Sequence, residues 1–222
     1  MSKSDTSALF SSIYEELELI ENLDIDQIAT QIKSMGFECT RCGKCCRGSF
    51  ADNSVILNSE DLHVLEKKLL KDEFVVPMAD ISGELRESHL IDENGVLHTF
   101  GWMLKRDENR DCGFLENDSK CRIYDSRPFL CRTYPFFLHD GKLEICECEG
   151  IGRPISIEEA TELATHIIHR KSVELNDTIK VYEKFIESGF TLEEKDVSLL
   201  EDIGTVMVHD TEGISRVDVS EF

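Results

Sequence analysis

Residues 37–50 read FECTRCGKCCRGSF, and four of the fourteen are cysteine. Cys39, Cys42, Cys45 and Cys46 fall in the pattern C-x-x-C-x-x-C-C. A C-x-x-C turn brings two sulfurs within reach of one metal centre. Cys46 directly follows Cys45. Neighbouring side chains generally diverge, so the two are not expected on the same ion. Cys46 then serves a second centre or takes another corner of a multi-iron cluster.

Five further thiols lie downstream. DCGFLENDSKCRIYDSRPFLCRTYPF (111–136) carries Cys112, Cys121 and Cys131, and ICECEGIG (145–152) carries Cys146 and Cys148. Four cysteines suffice for one zinc or one cubane cluster, and eight for two centres. The three evenly spaced cysteines of the first loop are similar to the run by which bacterial ferredoxins hold a cubane. This favours an iron–sulfur cluster over zinc but does not exclude zinc.

Charge supports a metal centre. Windows 39–47 and 120–132 hold Arg41, Lys44, Arg47, Lys120, Arg122, Arg127 and Arg132 against Asp125 alone. The chain as a whole carries −21. Nearby bases lower thiol pKa and offset the negative charge of thiolate-ligated centres. The same acidity opposes binding to nucleic acid or anionic membranes, which needs clustered bases. No apolar run is long enough for a membrane span. The N-terminus has acids where a signal peptide needs an apolar core. The expected compartment is therefore the cytosol. Nine cysteines in a reducing compartment argue against a disulfide framework.

The elements that must position these thiols are legible by periodicity. Residues 1–36 read as an N-terminal helical segment, with Leu9, Phe10, Ile13, Leu17 and Ile20 at helical spacing. Asp24 or Asp26 caps a second helix that stops at Gly36. Residues 37–152 form the cysteine-cluster domain, with a strand at 55–57, a helix at about 60–71 and a strand at 96–105 bearing the only tryptophan, Trp102. The rest of that segment is turn-rich and is expected to be held by something other than a conventional core. Residues 153–203 return to helix, with capping-box patterns at Ser156/Glu159 and Thr191/Glu194. Residues 204–222 alternate around DTEG and read as a hairpin tail. His166 and His169 share a helix face but have no cysteine or carboxylate motif beside them, so packing is the preferred reading. The fold class expected is α+β: a small irregular cysteine-rich metal-binding domain flanked by N- and C-terminal helices.

Linked motifs carry a family resemblance. After Cys39-x-x-Cys42-x-x-Cys45-Cys46 come Cys112-x-Phe114-Leu115, Cys121-Arg122-Ile123-Tyr124 and Arg127-Pro128-x-x-Cys131-Arg132. Tyr134-Pro135-Phe136 and Cys148-x-Gly150-Ile151-Gly152 close the set. The order resembles the YkgJ-type cysteine-cluster family, also described as a CxxCxxCC zinc- or iron-chelating domain. The resemblance implies metal chelation through Cys39, Cys42, Cys45, Cys46, Cys112, Cys121, Cys131 and Cys148. Cys148 matches better than Cys146 because Gly-Ile-Gly follows it, and Cys146 stays open as the alternative ligand.

The leading expectation is an iron–sulfur protein, with a 4Fe-4S cluster, acting as electron carrier, accessory or cluster-dependent enzyme. A second is a structural zinc protein whose acidic helices bind a protein partner. A third is a protein lysine N-methylase, because flagellin lysine N-methylases carry a similar cluster. That reading lacks a glycine-rich S-adenosylmethionine loop in the sequence.

Overall fold

The computed structural model describes residues 3–48, 53–78, 88–196 and 204–218. The chain opens with two helices, α1 (Lys3–Glu21) and α2 (Ile25–Met35). Asp24 caps α2, its carboxylate accepting from the Asp26 and Gln27 amides, and Gly36 ends it at φ 71°. Both helices lie against α6 (Ile157–Ser188), the longest element. The Ser156/Glu159 capping box starts α6, and Gly189 stops it in the left-handed conformation. Ile20, Ile32, Ala160, Ala164 and Ile167 are essentially water-free in this helical core. A hairpin of β6 (Phe136–His139) and β7 (Lys142–Ile145) supplies Phe136 and Leu138 to the same core.

A second core holds the cysteine side of the molecule. It joins Leu57, Leu65, Phe74, Leu97, Trp102, Leu104, Phe114, Val206 and Val208. Two sheets enclose it. β1 (Ile56–Leu57), β5 (Trp102–Leu104) and β2 (Val75–Pro77) form an antiparallel trio in the order β1-β5-β2. The larger sheet runs β10-β9-β4-β3-β8, made of β3 (Ser88–Ile91), β4 (Leu97–Phe100), β8 (Glu193–Asp196), β9 (Thr205–His209) and β10 (Ile214–Asp218). The pair β4–β9 is parallel. The expected tail hairpin is therefore present as β9 and β10, and it extends a sheet begun by the cysteine segment.

Helices and several small sheets make this an α+β fold. Three local expectations need correction. The helix at 60–71 is two helices, α3 (Ser59–Glu66) and α4 (Lys71–Phe74), because Leu70 turns extended and Glu73 caps its amide at 2.9 Å. The strand at 96–105 divides at Gly101, φ 115°, and its halves join different sheets. Thr191/Glu194 caps no helix in the described residues. Glu193–Asp196 pairs with Ser88–Ile91 instead, so sheet partnering overrides a local signal. The turn-rich segment also has a conventional core beneath it, onto which Phe114, Ile123 and Leu130 pack. Nothing in the fold subdivides it from that core.

Among the described residues no helix is long and apolar enough to cross a membrane.

Candidate metal centre

The first cysteine loop turns back on itself twice. Arg41 and Gly43 both adopt positive φ, 56° and 70°. A single 3-10 turn follows at Lys44–Cys46, with the Cys46 amide donating to the Gly43 carbonyl at 3.0 Å. A side chain at position 43 would put its Cβ 3.1 Å from Ser119 Cβ and 3.2 Å from Leu115 Cδ1. Glycine is thus required by the backbone and by the loop packed behind it. This tight turn makes the Cys45 and Cys46 sulfurs converge to 3.9 Å. The expectation that they diverge does not hold for this pair. Two thiolates on one tetrahedral zinc would stand about 3.8 Å apart.

The second loop is tied to the first through backbone. The Cys112 amide donates to the Cys46 carbonyl at 2.8 Å, and Asn53 Nδ2 donates to that carbonyl and to the Arg110 carbonyl, each at 3.0 Å. Asp107 Oδ1 accepts from the Asn109 and Asp111 amides, which closes the turn before Cys112. An isolated bridge pairs Leu115 with Cys121 across the next turn. Sequence composition marked this stretch as turns, and aspartate-centred turns are how it folds.

Cys131 sits on α5 (Phe129–Thr133). Proline at 128 forces Arg127 into extended backbone, φ −57° and ψ 141°, as the Arg-Pro dipeptide implies. The Phe129 amide then donates to Asp61 Oδ1 at 2.9 Å. Asp61 also completes the capping box of α3 with Asn58, so one buried carboxylate anchors two helix starts. Burial pushes its pKa up to about 6, against bonds from the Phe129 and Asn58 amides that lower it. The N-x-x-D pattern of Asn58 and Asp61 is the sequence signal for this residue.

Cys46, Cys112, Cys121 and Cys131 line a common cavity of about 120 Å³. Cys46 comes from the first loop and the other three from residues 111–136. Arg41, Tyr124 and Arg127 also line it. Both guanidinium groups stack on the Tyr124 ring, 4.1 and 3.6 Å from its centre. Tyr124, the last residue of the Cys121-Arg122-Ile123-Tyr124 motif, holds these two bases beside the cavity. Arg47 turns away to Asp111 at 3.3 Å, and Lys44 pairs with Glu149.

Cys45 has its pKa lowered to about 7, first by its hydrogen bond with Cys46 and, more weakly, by a backbone amide and Arg127. Cys46 is driven up by its contact with Cys45, by burial and by neighbouring thiols. Cys131 is pushed up by burial, then by Cys112, Cys45 and Cys121. Burial likewise raises Cys112 and Cys121, each also repelled by other cysteines of the group. Several thiolates around one cavity repel each other until a cation enters.

Cys39, Cys42 and Cys148 form an outer group. Phe37 bridges to Ile151, the Glu38 amide donates to the Gly150 carbonyl at 3.1 Å, and the Gly152 amide donates to the Gly36 carbonyl at 3.1 Å. A Cβ on Gly150 would lie 2.3 Å from the Glu38 carbonyl oxygen, so this crossing needs glycine. The Gly150 amide donates to Cys148 Sγ at 3.4 Å. Burial raises the Cys148 pKa, and Cys39, Cys42 and Cys45 add to it. Cys45 is the thiol that both groups feel. Cys146 is exposed, near the Tyr134 hydroxyl, whose pKa is pushed up to about 12 by burial and then by Cys146 and Cys148. His166 and His169 pack on Phe129, and His169 contacts Glu60 at 2.9 Å.

Among the described residues no group of three His, Cys, Asp or Glu side chains already stands as a metal-ion site. The inner thiols surround a space rather than a point. Among the described residues no histidine or carboxylate lines that space. An all-thiol donor set beside two guanidinium groups fits a soft-ligand metal group, iron or zinc.

Comparison with curated proteins finds no match. Comparison with solved structures finds none either. A family model described as "CxxCxxCC: Putative zinc- or iron-chelating domain" matches residues 38–166. That span runs from the first cysteine loop into α6 and covers more than half of the chain, so the protein belongs to the CxxCxxCC family and its role is metal binding.

Proposed function

We propose that the protein holds an iron–sulfur cluster in the inner cavity, with Cys46, Cys112, Cys121 and Cys131 as its ligands and Cys45 beside them. One observation carries this reading: four cysteines from two stretches of chain line about 120 Å³, while among the described residues no three converge at single-ion distance. A lone tetrahedral zinc would leave no such space, since its sulfurs stand only about 3.8 Å apart. The outer group, Cys39, Cys42 and Cys148, completes the eight-cysteine set and offers ligands for a second centre or for exchange with the first.

A bound cluster would supply one-electron transfer at a potential set by burial and by hydrogen bonds to its sulfurs. The chain's own residues exclude water and balance charge. Leu104, Ile123 and Pro128 give the cavity apolar walls, and Arg41 and Arg127, held by Tyr124, face the thiolates. The role that follows is electron carriage or cluster handling, with a protein as the partner. The spacing of 3.9 Å between Cys45 and Cys46 favours a second reading, a structural zinc shared by that pair.

Iron and acid-labile sulfide analysis after anaerobic purification separates the two. The expected result is a coloured protein with iron and sulfide in equal amounts. Cys112→Ser and Cys131→Ser should lose both, while Cys146→Ser keeps them. Stoichiometric zinc, with no sulfide retained after anaerobic reconstitution, would sink the cluster.

A further inference from the structure

A second cavity, of about 500 Å³, lies beside α5. Leu130 lines it, while the next residue, Cys131, lines the metal cavity. The volume is in the range of small-molecule sites, roughly 300–1,000 Å³. Its walls come from β1, β5 and α6. Trp102, Phe100 and Tyr182 give aromatic surface, and Leu57, Leu62 and Val181 give aliphatic surface. Ile56 and Met78 also line it and are 50% and 37% exposed, so its edge is apolar as well.

The charges in the walls do not cancel. Arg170 is engaged by Glu174, Nε to Oε1 at 2.8 Å, and it donates to Thr133 Oγ1 at 2.8 Å. Asp210 accepts from Trp102 Nε1 at 2.7 Å and pairs with Lys71 at 3.3 Å. That leaves Asp177. Its oxygens accept from the Ser59 amide at 2.7 Å and the Ser59 hydroxyl at 2.8 Å, and no basic side chain among the described residues pairs with it. The cavity therefore combines one carboxylate with no basic partner among the described residues, three aromatic rings, of which Trp102 already carries the Lys71 ammonium 4.7 Å from its ring centre, and an apolar lining. A carboxylate beside aromatic faces attracts organic cations, and apolar walls take up the rest of such a molecule.

We propose that this cavity binds an organic ammonium compound with an apolar or aromatic body, its cationic end at Asp177 and its body against Trp102, Phe100 and Tyr182. The site is independent of which metal the cysteines hold.

The molecule carries its own reporter, because Trp102 is its single tryptophan. Intrinsic fluorescence and calorimetric titration of the full chain would use phenethylamine, with 3-phenylpropionate and 3-phenylpropan-1-ol as anionic and neutral controls. Saturable binding of the amine is expected, tighter than the carboxylate by about tenfold or more. Asp177→Asn keeps an acceptor and a donor for Ser59, and should bring the amine and the alcohol to within about threefold of each other. Val181→Phe, which fills the space from α6, should abolish binding of all three. Circular dichroism and the melting midpoint check that both variants fold. The absence of saturable amine binding overturns the proposal. So does equal binding of the carboxylate, or amine binding that neither substitution alters.

Discussion

The two halves of this molecule are organised differently. In the helical half, α1, α2 and α6 meet through a core that holds Ile20, Ile32, Ala160, Ala164 and Ile167. In the cysteine half, short strands and aspartate-closed turns surround Phe74, Leu97, Trp102 and Val206, with cysteines packed on the margin. The first half can be read as continuous amphipathic helix. The second places buried polar groups where they must find partners: Asp61, His98, His209 and Asp210 are all under a tenth exposed. Hydrophobic burial is non-directional and tolerates variation in detail. Buried polar and thiol groups demand specific geometry, so the cysteine half carries the chemistry.

Substitution in the helical core gives the strongest test of this division. Ile167→Ala removes a side chain that is 1% exposed and should cost about 2–5 kcal/mol of stability. Denaturant unfolding would measure the loss, and metal content at low denaturant should be unchanged. Loss of metal in the folded variant would show that the halves are not separable in this way.

Gly43→Ala probes the other half with a smaller effect. The left-handed backbone alone should cost about 1–2 kcal/mol. The added methyl also presses on Ser119 and Leu115. The expected outcome is a modest fall in melting temperature with a larger fall in retained metal, read by elemental analysis. A variant that keeps full metal occupancy would mean the first loop does not need its tight turn.

Acidity separates two buried groups of the cysteine half, and the shift it causes is the smallest of the three. His209, hydrogen-bonded to His98 at 2.8 Å, has its pKa lowered to about 4 by burial and by His98. The unfolded chain therefore binds more protons than the fold between about pH 6.5 and 4, and the stability this histidine contributes is lost as pH falls through that window. Asp61, held up at about 6 against an ordinary 3.8, acts oppositely. Its contribution is full below about pH 3.8 and is lost as pH rises through 6. His209→Gln should make the rise of melting temperature from pH 4 to 6.5 shallower than in the parent, and Asp61→Asn should make it steeper. Identical slopes in all three proteins would contradict both assignments.

Legibility in the sequence followed the range of the interactions. Asp24, Gly36, Ser156 with Glu159, and Gly189 act within one turn of chain, and the helices begin and end where those residues specify. The chemistry of the centre was legible for the same reason: cysteine type, spacing and neighbouring arginines are local facts. The 96–105 strand looked continuous because its apolar content is continuous. Only the competing demands of two sheets divide it at Gly101. The Thr191/Glu194 pattern failed because pairing with Ser88–Ile91 is remote in sequence.

By itself the sequence determined the ends of α2 and the start of α6, the thiol inventory and the family, since capping and ligand type are properties of neighbouring residues. Tertiary structure alone decided which thiols face a common cavity, that Tyr124 holds Arg41 and Arg127 beside them, and that Asp177 lines the same cavity as Trp102 with no basic partner among the described residues. These depend on where segments many residues apart come to rest, and loop closure and packing, rather than local preference, set that outcome.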